Sequence, residues 1–310
     1  MDLNKEPIIT IVGFLGAGKT TLLKQLSKTY KDEGWNPFII LNDYENAALD
    51  AEQLQDKVDL KSIKALSGSC ICCSGIHELR NYVNTIPQRK NGITLIEANG
   101  TSDTCSLMGF LGVGIDERFS PPVQISVVDA KNWQKRGEHN ELELNQIQVS
   151  SLIILNHTDE LTDERINEVK KDINKNNPHA EIKHFNELNL SHIATLKPSE
   201  NEYEKLDHLK AHWSSCSVDL ERLPNKESIS ILCNKIPNSI ARVKGCTKIG
   251  NESSYTYFER TPDGAVYYRS FNGEPSTGAK LLSIGPGSNP EILKTVISET
   301  IMEFEQAKAG

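Results

Sequence analysis

The stretch "GFLGAGKTT", Gly13 to Thr21, follows the apolar run "IITIVG" and precedes the helical pattern "KTTLLKQLSKTY". It satisfies G-x-x-x-x-G-K-[ST], a loop that works only between a buried strand and the helix that follows it, so it commits this part of the chain to an α/β fold. Gly13, Gly16 and Gly18 let the backbone curl until its N–H groups, that of Ala17 included, converge on phosphate oxygens. Lys19 reaches the β- and γ-phosphates, the Thr20 hydroxyl can ligate Mg²⁺, and Thr21 completes a first helical turn whose dipole favours the anion. The alternative is a glycine-rich turn with no ligand, which does not account for the strand before the loop or the helix after it.

Further apolar runs bounded by turn residues recur at 38–42, 62–66, 93–97, 123–130 and 152–156, each a candidate buried strand. Between them lie helical patterns such as "TDERINEVKKDINK", with Ile166, Val169 and Ile173 at helical spacing. Strands alternating with helices predict a P-loop NTPase domain, a mostly parallel sheet flanked by helices, over residues 1–200. Residues 201–225 read as a polar linker. Residues 226–310 read as a smaller α+β C-terminal domain, with strands from "SISIL" onward, turns at "PDG" and "FNGEPS", and a closing helix at "EILKTVISETIMEFEQA".

Two more signals bear on the ligand. Asn156 and Asp159 in "LIILNHTDEL" have the spacing of the guanine-reading N-K-x-D element, with His157 at the lysine position. An Asp there accepts from guanine N1–H and the N2 amino group, and adenine would leave it unpaired, so GTP and GDP are favoured over ATP. A blander reading has Asn156 and Asp159 capping the helix that begins near Thr162. In "LIEANGTSD", Glu97 ends a strand and can hold Mg²⁺ or orient water, while the Gly100 N–H can sense a γ-phosphate. No glutamine follows Gly100 to position water, which predicts slow intrinsic hydrolysis.

The segment "GSCICCSGIHEL" gathers Cys70, Cys72 and Cys73, three of seven cysteines. Thiolates suit Zn²⁺, Cu(I) or Co²⁺, and three of them leave a coordination position for water, for Asp43, Glu45 or His77, or for another protein. An incomplete shell is what a transferring site needs. A redox reading is weaker, because adjacent Cys72 and Cys73 pair only with strain. Cys105, Cys216, Cys233 and Cys246 read as small buried side chains.

Together, "GFLGAGKTT", "LNDYENAALD", "GSCICCS", "EANGTSD", "VVDA" and "NQIQVSSLIILNHTDEL" give the chain a resemblance to the CobW-type GTPases, metallochaperones that include nitrile hydratase activators and zinc-transferring GTPases. The resemblance runs through most of residues 7 to 190, and "ARVKG" at 241–245 is similar to the start of that family's C-terminal domain. It implies a GTP-hydrolysing protein with Lys19 and Glu97 as catalytic residues. It also implies that Cys70, Cys72 and Cys73 bind Zn²⁺ or Co²⁺ for a client protein, docked in part through the C-terminal domain. Ser69 stands where the family has glycine, Ser151 where it has Asp and His157 where it has Lys, and the histidine-rich loop of many members is missing.

Counts of 34 basic and 42 acidic residues give a net charge of −8, against a sequence-independent hold on nucleic acid. The start lacks a basic segment followed by a long apolar run, and no segment approaches the ~18–20 apolar residues that span a bilayer, so a cytoplasmic protein is expected. Two other classes stay open. A small-molecule phosphotransferase would show acceptor-stimulated nucleotide turnover. A non-enzymatic scaffold would show no turnover even with metal and client. Tyr255, Tyr257, Phe258, Tyr267 and Tyr268 can form a partner face, although alternating aromatics on strands are more often packing.

Overall fold

A computed structural model describes residues 5–42, 62–66, 75–199, 215–240, 242–261, 264–275, 278–285 and 288–309. The chain divides into two compact units, Met1–His212 and Trp213–Gly310.

The first unit is built in the order β1 (Ile8–Val12), α1 (Lys19–Asp32), β2 (Asn36–Asn42), β3 (Ile63–Leu66), α2 (Gly75–Thr85), β4 (Gly92–Glu97), α3 (Thr104–Leu111) and β5 (Val123–Asp129). It continues with α4 (Asn140–Gln148), β6 (Leu152–Asn156), α5 (Asp163–Asn176), β7 (Glu181–His184) and the single turn α6 (Leu190–Ile193). The strands form a 7-stranded sheet in the order β3-β2-β4-β1-β5-β6-β7. Every pairing described in it is parallel.

Parallel strands covered on both faces must be apolar throughout, and β1 and β5 are buried at every position. On one face α1 packs Leu22, Leu23 and Leu26 against Ile9, Ile11, Ile39, Leu95, Ile125 and Ile154. On the other, Leu79 and Val83 of α2 and Leu107 and Leu111 of α3 cover Ile8, Val12, Ile40 and Ile96. Ile147 of α4 and Val169 and Ile173 of α5 cover Val128, Ile153 and Leu155. Helices of this length are held by such stripes more than by propensity.

The second unit holds β8 (Ser215–Asp219), α7 (Glu227–Lys235), β9 (Arg242–Lys248), β10 (Tyr255–Arg260), β11 (Val266–Phe271), β12 (Lys280–Ile284) and α8 (Pro290–Ala309). Its 5-stranded sheet has the order β11-β10-β9-β12-β8 with antiparallel pairings. Leu232 of α7 and Leu293 and Val296 of α8 pack with Val243, Phe258 and Leu281.

Two expectations change here. Strand β8 lies inside the stretch expected to be a linker, residues 201–225, because Cys216, Val218 and Leu220 alternate into the core while the intervening residues are polar. The segment "SISIL", expected as a strand, is helical. Asn225 accepts the Ser228 N–H at its start, and Ile229, Leu232 and Cys233 fall on one helical face in the core. Tyr257 and Phe258 are buried, whereas Tyr267 and Tyr268 stand exposed on β11. Among the described residues, no helix is long and apolar enough to cross a membrane.

Candidate nucleotide site

The strand order places the carboxyl ends of β1, β4, β5 and β6 side by side, where open parallel sheets bind their ligands. The loop after β1 turns on left-handed glycines, Gly13 at φ 138°, Gly16 at 80° and Gly18 at 107°. Only glycine fits at Gly13, since a Cβ there would lie 2.2 Å from the backbone oxygen of Val127. Ala17 N–H donates to Phe14 O at 3.2 Å, which closes the curl. Lys19 opens α1, is 5% exposed, and donates from Nζ to Gly13 O at 2.9 Å and Phe14 O at 3.2 Å. These contacts hold the ammonium across the loop. The first N–H groups of α1 have no carbonyl before them within the helix, which makes this end receptive to an anion.

The Thr20 hydroxyl donates to Glu97 Oε1 at 2.7 Å. Two oxygen ligands at the mouth of a phosphate loop are the donor set a hard cation such as Mg²⁺ takes. Glu97 is positioned by β4, whose register sets it beside Ile11 of β1. Three residues on, Gly100 lies against the loop itself. A Cβ there would come within 2.9 Å of Leu15 N and 2.5 Å of its side chain.

Asn156 ends β6 and donates from Nδ2 to Ala17 O at 2.8 Å, tying the N-x-x-D segment to the phosphate loop. The helix that follows is capped by Thr162, whose Oγ1 accepts the Arg165 N–H, so Asn156 is engaged with the loop rather than with α5. Asp159 is exposed near this end of the sheet. His157 has φ 56°, in the left-handed region that histidine enters more readily than most side chains.

One group of buried charges beside the loop was only partly legible in the sequence. Asp129, at the end of β5, lies 3.2 Å from His157 Nδ1, accepts from Asn132 Nδ2 at 2.8 Å and pairs with Arg136 at 3.1 Å. Arg136 also donates from Nε to Glu143 Oε1 at 2.7 Å, and its guanidinium stacks 4.3 Å from the Phe14 ring centroid. A chain of contacts thus runs from His157, just after β6, to Phe14 in the loop after β1. Burial would raise the Asp129 carboxyl, but hydrogen bonds from His157 and Asn132 and the Arg136 charge outweigh it and hold it well below the usual carboxylate range. Burial raises Glu143 above its ordinary value in spite of Arg136. The signal open to sequence reading was "VVDA" at the end of β5; the six residues between Arg136 and Glu143 hid the rest.

The structure therefore brings together Gly13, Gly16, Ala17, Gly18, Lys19, Thr20, Glu97, Gly100 and Asn156, with Thr21 in the first turn of α1. Cys70, Cys72 and Cys73, with Asp43 and Glu45, lie outside the described residues; His77 falls on α2. Among the described residues, no three His, Cys, Asp or Glu side chains gather to hold a metal. Cys105, Cys216, Cys233 and Cys246 are buried, and burial pushes the Cys105 and Cys233 thiols up to about 12.

Comparison with known proteins adds the following. The family model described as CobW/HypB/UreG, nucleotide-binding domain, matches residues 7–184. The zinc-regulated GTPase metalloprotein activator 1 of Dictyostelium discoideum is 24% identical over 216 residues, 57% of this chain and 45% of that protein. The zinc chaperone YjiA of Escherichia coli is 27% identical over 165 residues, 51% of each chain. The zinc chaperone CobW of Pseudomonas aeruginosa is 27% identical over 203 residues, 55% of this chain and 54% of that one. The chain spans about half the length of the curated relatives it matches. A crystal structure of Zn(II)-bound YjiA GTPase from E. coli superposes with a TM-score of 0.40 at 15% identity, covering 96% of this chain and 99% of that one.

Proposed function

We propose, from the premise that this chain belongs to the CobW/HypB/UreG nucleotide-binding family, that it binds and hydrolyses GTP and uses the cycle to carry a transition metal to a client protein. The observation that carries the reading is the 2.8 Å bond from Asn156 to Ala17 O. It draws the N-x-x-D segment to the phosphate loop, as a ligand with a base at one end and phosphates at the other requires.

In this cycle Lys19 exchanges the Gly13 and Phe14 carbonyls for the β- and γ-phosphate oxygens. Thr20 and Glu97 would hold Mg²⁺, which would neutralise charge on the phosphates. Asp159 accepts from guanine N1–H and N2–H₂, and Asn156 keeps its loop in place. Glu97 orients the attacking water, whose oxygen bonds to the γ-phosphorus as the bond to the β,γ-bridging oxygen breaks, giving GDP and phosphate. Thr101 stands where a water-positioning glutamine would follow Gly100, so turnover is slow until metal or client raises it.

Cys70, Cys72 and Cys73 take the metal as thiolates, and the open position admits a client's ligand. Zinc is the first candidate because the relatives' names speak of zinc, with cobalt a second whose ligand preferences overlap. Reduced thiols suit a cytoplasmic site of action. The C-terminal sheet is where the client docks in part.

Equilibrium binding of labelled GDP and ADP, with phosphate release from GTP and ATP, tests the reading. GDP is expected to bind at least about tenfold tighter than ADP, the discrimination an unpaired carboxylate supplies, with Lys19→Ala losing both. Equal affinity for ADP would contradict it.

A further inference from the structure

The face of the parallel sheet that carries α2 to α5 has two apolar clusters, and between them runs a polar seam. Thr10 of β1 pairs in register with Gln124 of β5, and Ser126 follows on the same face. Gln124 Nε2 donates to Gln146 O and to Ser150 Oγ, both at 2.9 Å, in and just after α4. From α4 two side chains reach the segment that follows β4. Gln146 Nε2 donates to Gly100 O at 2.9 Å, and Asn145 Oδ1 accepts the Thr104 N–H at 2.9 Å. Gln146, Asn145, Gln124, Thr10, Ser126 and Ser102 are each at most 1% exposed.

Among the described residues, six buried polar atoms of these side chains have no hydrogen-bond partner: Thr10 Oγ1, Gln124 Oε1, Ser126 Oγ, Ser102 Oγ, Asn145 Nδ2 and Gln146 Oε1. Buried polar groups are nearly always paired, and each orphan costs about 1–3 kcal/mol, so six of them need a reason. Packing alone would be served better by apolar side chains, like those on either side of the seam.

We propose that Gln146 is a positioning residue for γ-phosphate recognition. By holding the Gly100 carbonyl it sets the backbone at Gly100, whose lack of a side chain lets it lie against Leu15, so that the Gly100 N–H faces the terminal phosphate. The inference rests on the GTPase reading and deepens it, because it concerns only the part of the nucleotide that GDP lacks.

The test compares GDP and a slowly hydrolysed GTP analogue by equilibrium binding to wild type, Gln146→Leu and Gln146→Glu. Gln146→Leu is expected to weaken the analogue about five- to tenfold, the effect of one buried hydrogen bond, and to leave GDP within about twofold. Gln146→Glu loses the donor when ionised and regains one, the carboxylic O–H, when protonated. Its analogue affinity should therefore recover towards wild type as pH falls from 8 to 5.5, with GDP affinity following the wild-type profile. Equal losses for both nucleotides, no loss for either, or a flat pH response with Glu would overturn the proposal. If Gln146→Leu does not fold, the Glu pH profile decides alone. Wild type that binds neither guanine nucleotide would instead fail the parent reading.

Discussion

Replacing Arg136 with methionine should remove the pivot between the base-side loop and the phosphate loop, and its effect can be sized from the contacts. Arg136 and Asp129 are 7% exposed and Glu143 is 3% exposed, with ion pairs of 3.1 and 2.7 Å. Removing one partner from a buried pair costs about 3–5 kcal/mol, because Asp129 and Glu143 keep their hydrogen bonds but lose the cation that pairs with both. Loss of the contact over Phe14 adds about 1 kcal/mol. Methionine fills much of the same volume, so a cavity adds little.

The pH dependence follows from which carboxylate gives way. Glu143 already sits above its ordinary value; a group raised on folding stabilises below its unfolded pKa and loses that contribution as pH rises through the folded one. Without Arg136, which lowers it, the value moves higher still. The deficit of Arg136→Met relative to wild type should be greatest at pH 8 and narrow towards pH 5, as Glu143 takes up a proton and one uncompensated charge disappears. Urea unfolding followed by the fluorescence of buried Trp133 measures this in the nucleotide-binding unit. A difference below about 1 kcal/mol at pH 8, where breaking a buried pair should cost several times that, would refute the reasoning, as would one that does not change with pH.

Asp159→Asn should weaken GDP by about two orders of magnitude, the size of a lost pair of charge-assisted bonds, and raise affinity for xanthosine diphosphate, whose C2 carbonyl accepts what the amide donates; competition binding reads both. Brief alkylation of the native protein at pH 8 should modify Cys70, Cys72 and Cys73 and spare Cys105 and Cys233, whose thiols burial keeps protonated, as peptide mapping would show. In the second unit, Arg260 donates to Cys233 O and Ile236 O at 2.7 Å and also to Pro237 O and Ile240 O, so Arg260→Met should orphan the end of α7 and cost about 3 kcal/mol or more in urea unfolding.

Much of the first unit could be read from sequence because buried parallel strands are written as unbroken apolar runs. The runs at 8–13, 38–42, 62–66, 93–97, 123–130 and 152–156 all became strands β1 to β6 within a residue or two. The edge strand β7, "EIKH", is short and only half-buried, so nothing apolar announced it. "SISIL" alternates with period two yet folds as α7, because the Asn225 cap and the burial of Ile229 and Leu232 outweigh β-propensity. In the site, the phosphate loop and Asn156 were visible because their residue types are dictated by ligand geometry. The Asp129–Arg136–Glu143 group was not, since an ion pair constrains only charge and reach, and many sequence neighbours would satisfy both.

The central claim is that GTP turnover governs a metal site at Cys70, Cys72 and Cys73. Zn²⁺ affinity, measured against a chelating competitor with no nucleotide, with Mg²⁺–GDP and with a slowly hydrolysed Mg²⁺–GTP analogue, tests it directly beside a variant with all three cysteines changed to serine. The account predicts that wild-type affinity differs between the GDP and GTP-analogue states and that the variant loses both the tight binding and the difference. Equal affinity in the two nucleotide states, or a variant that binds as wild type does, would contradict it.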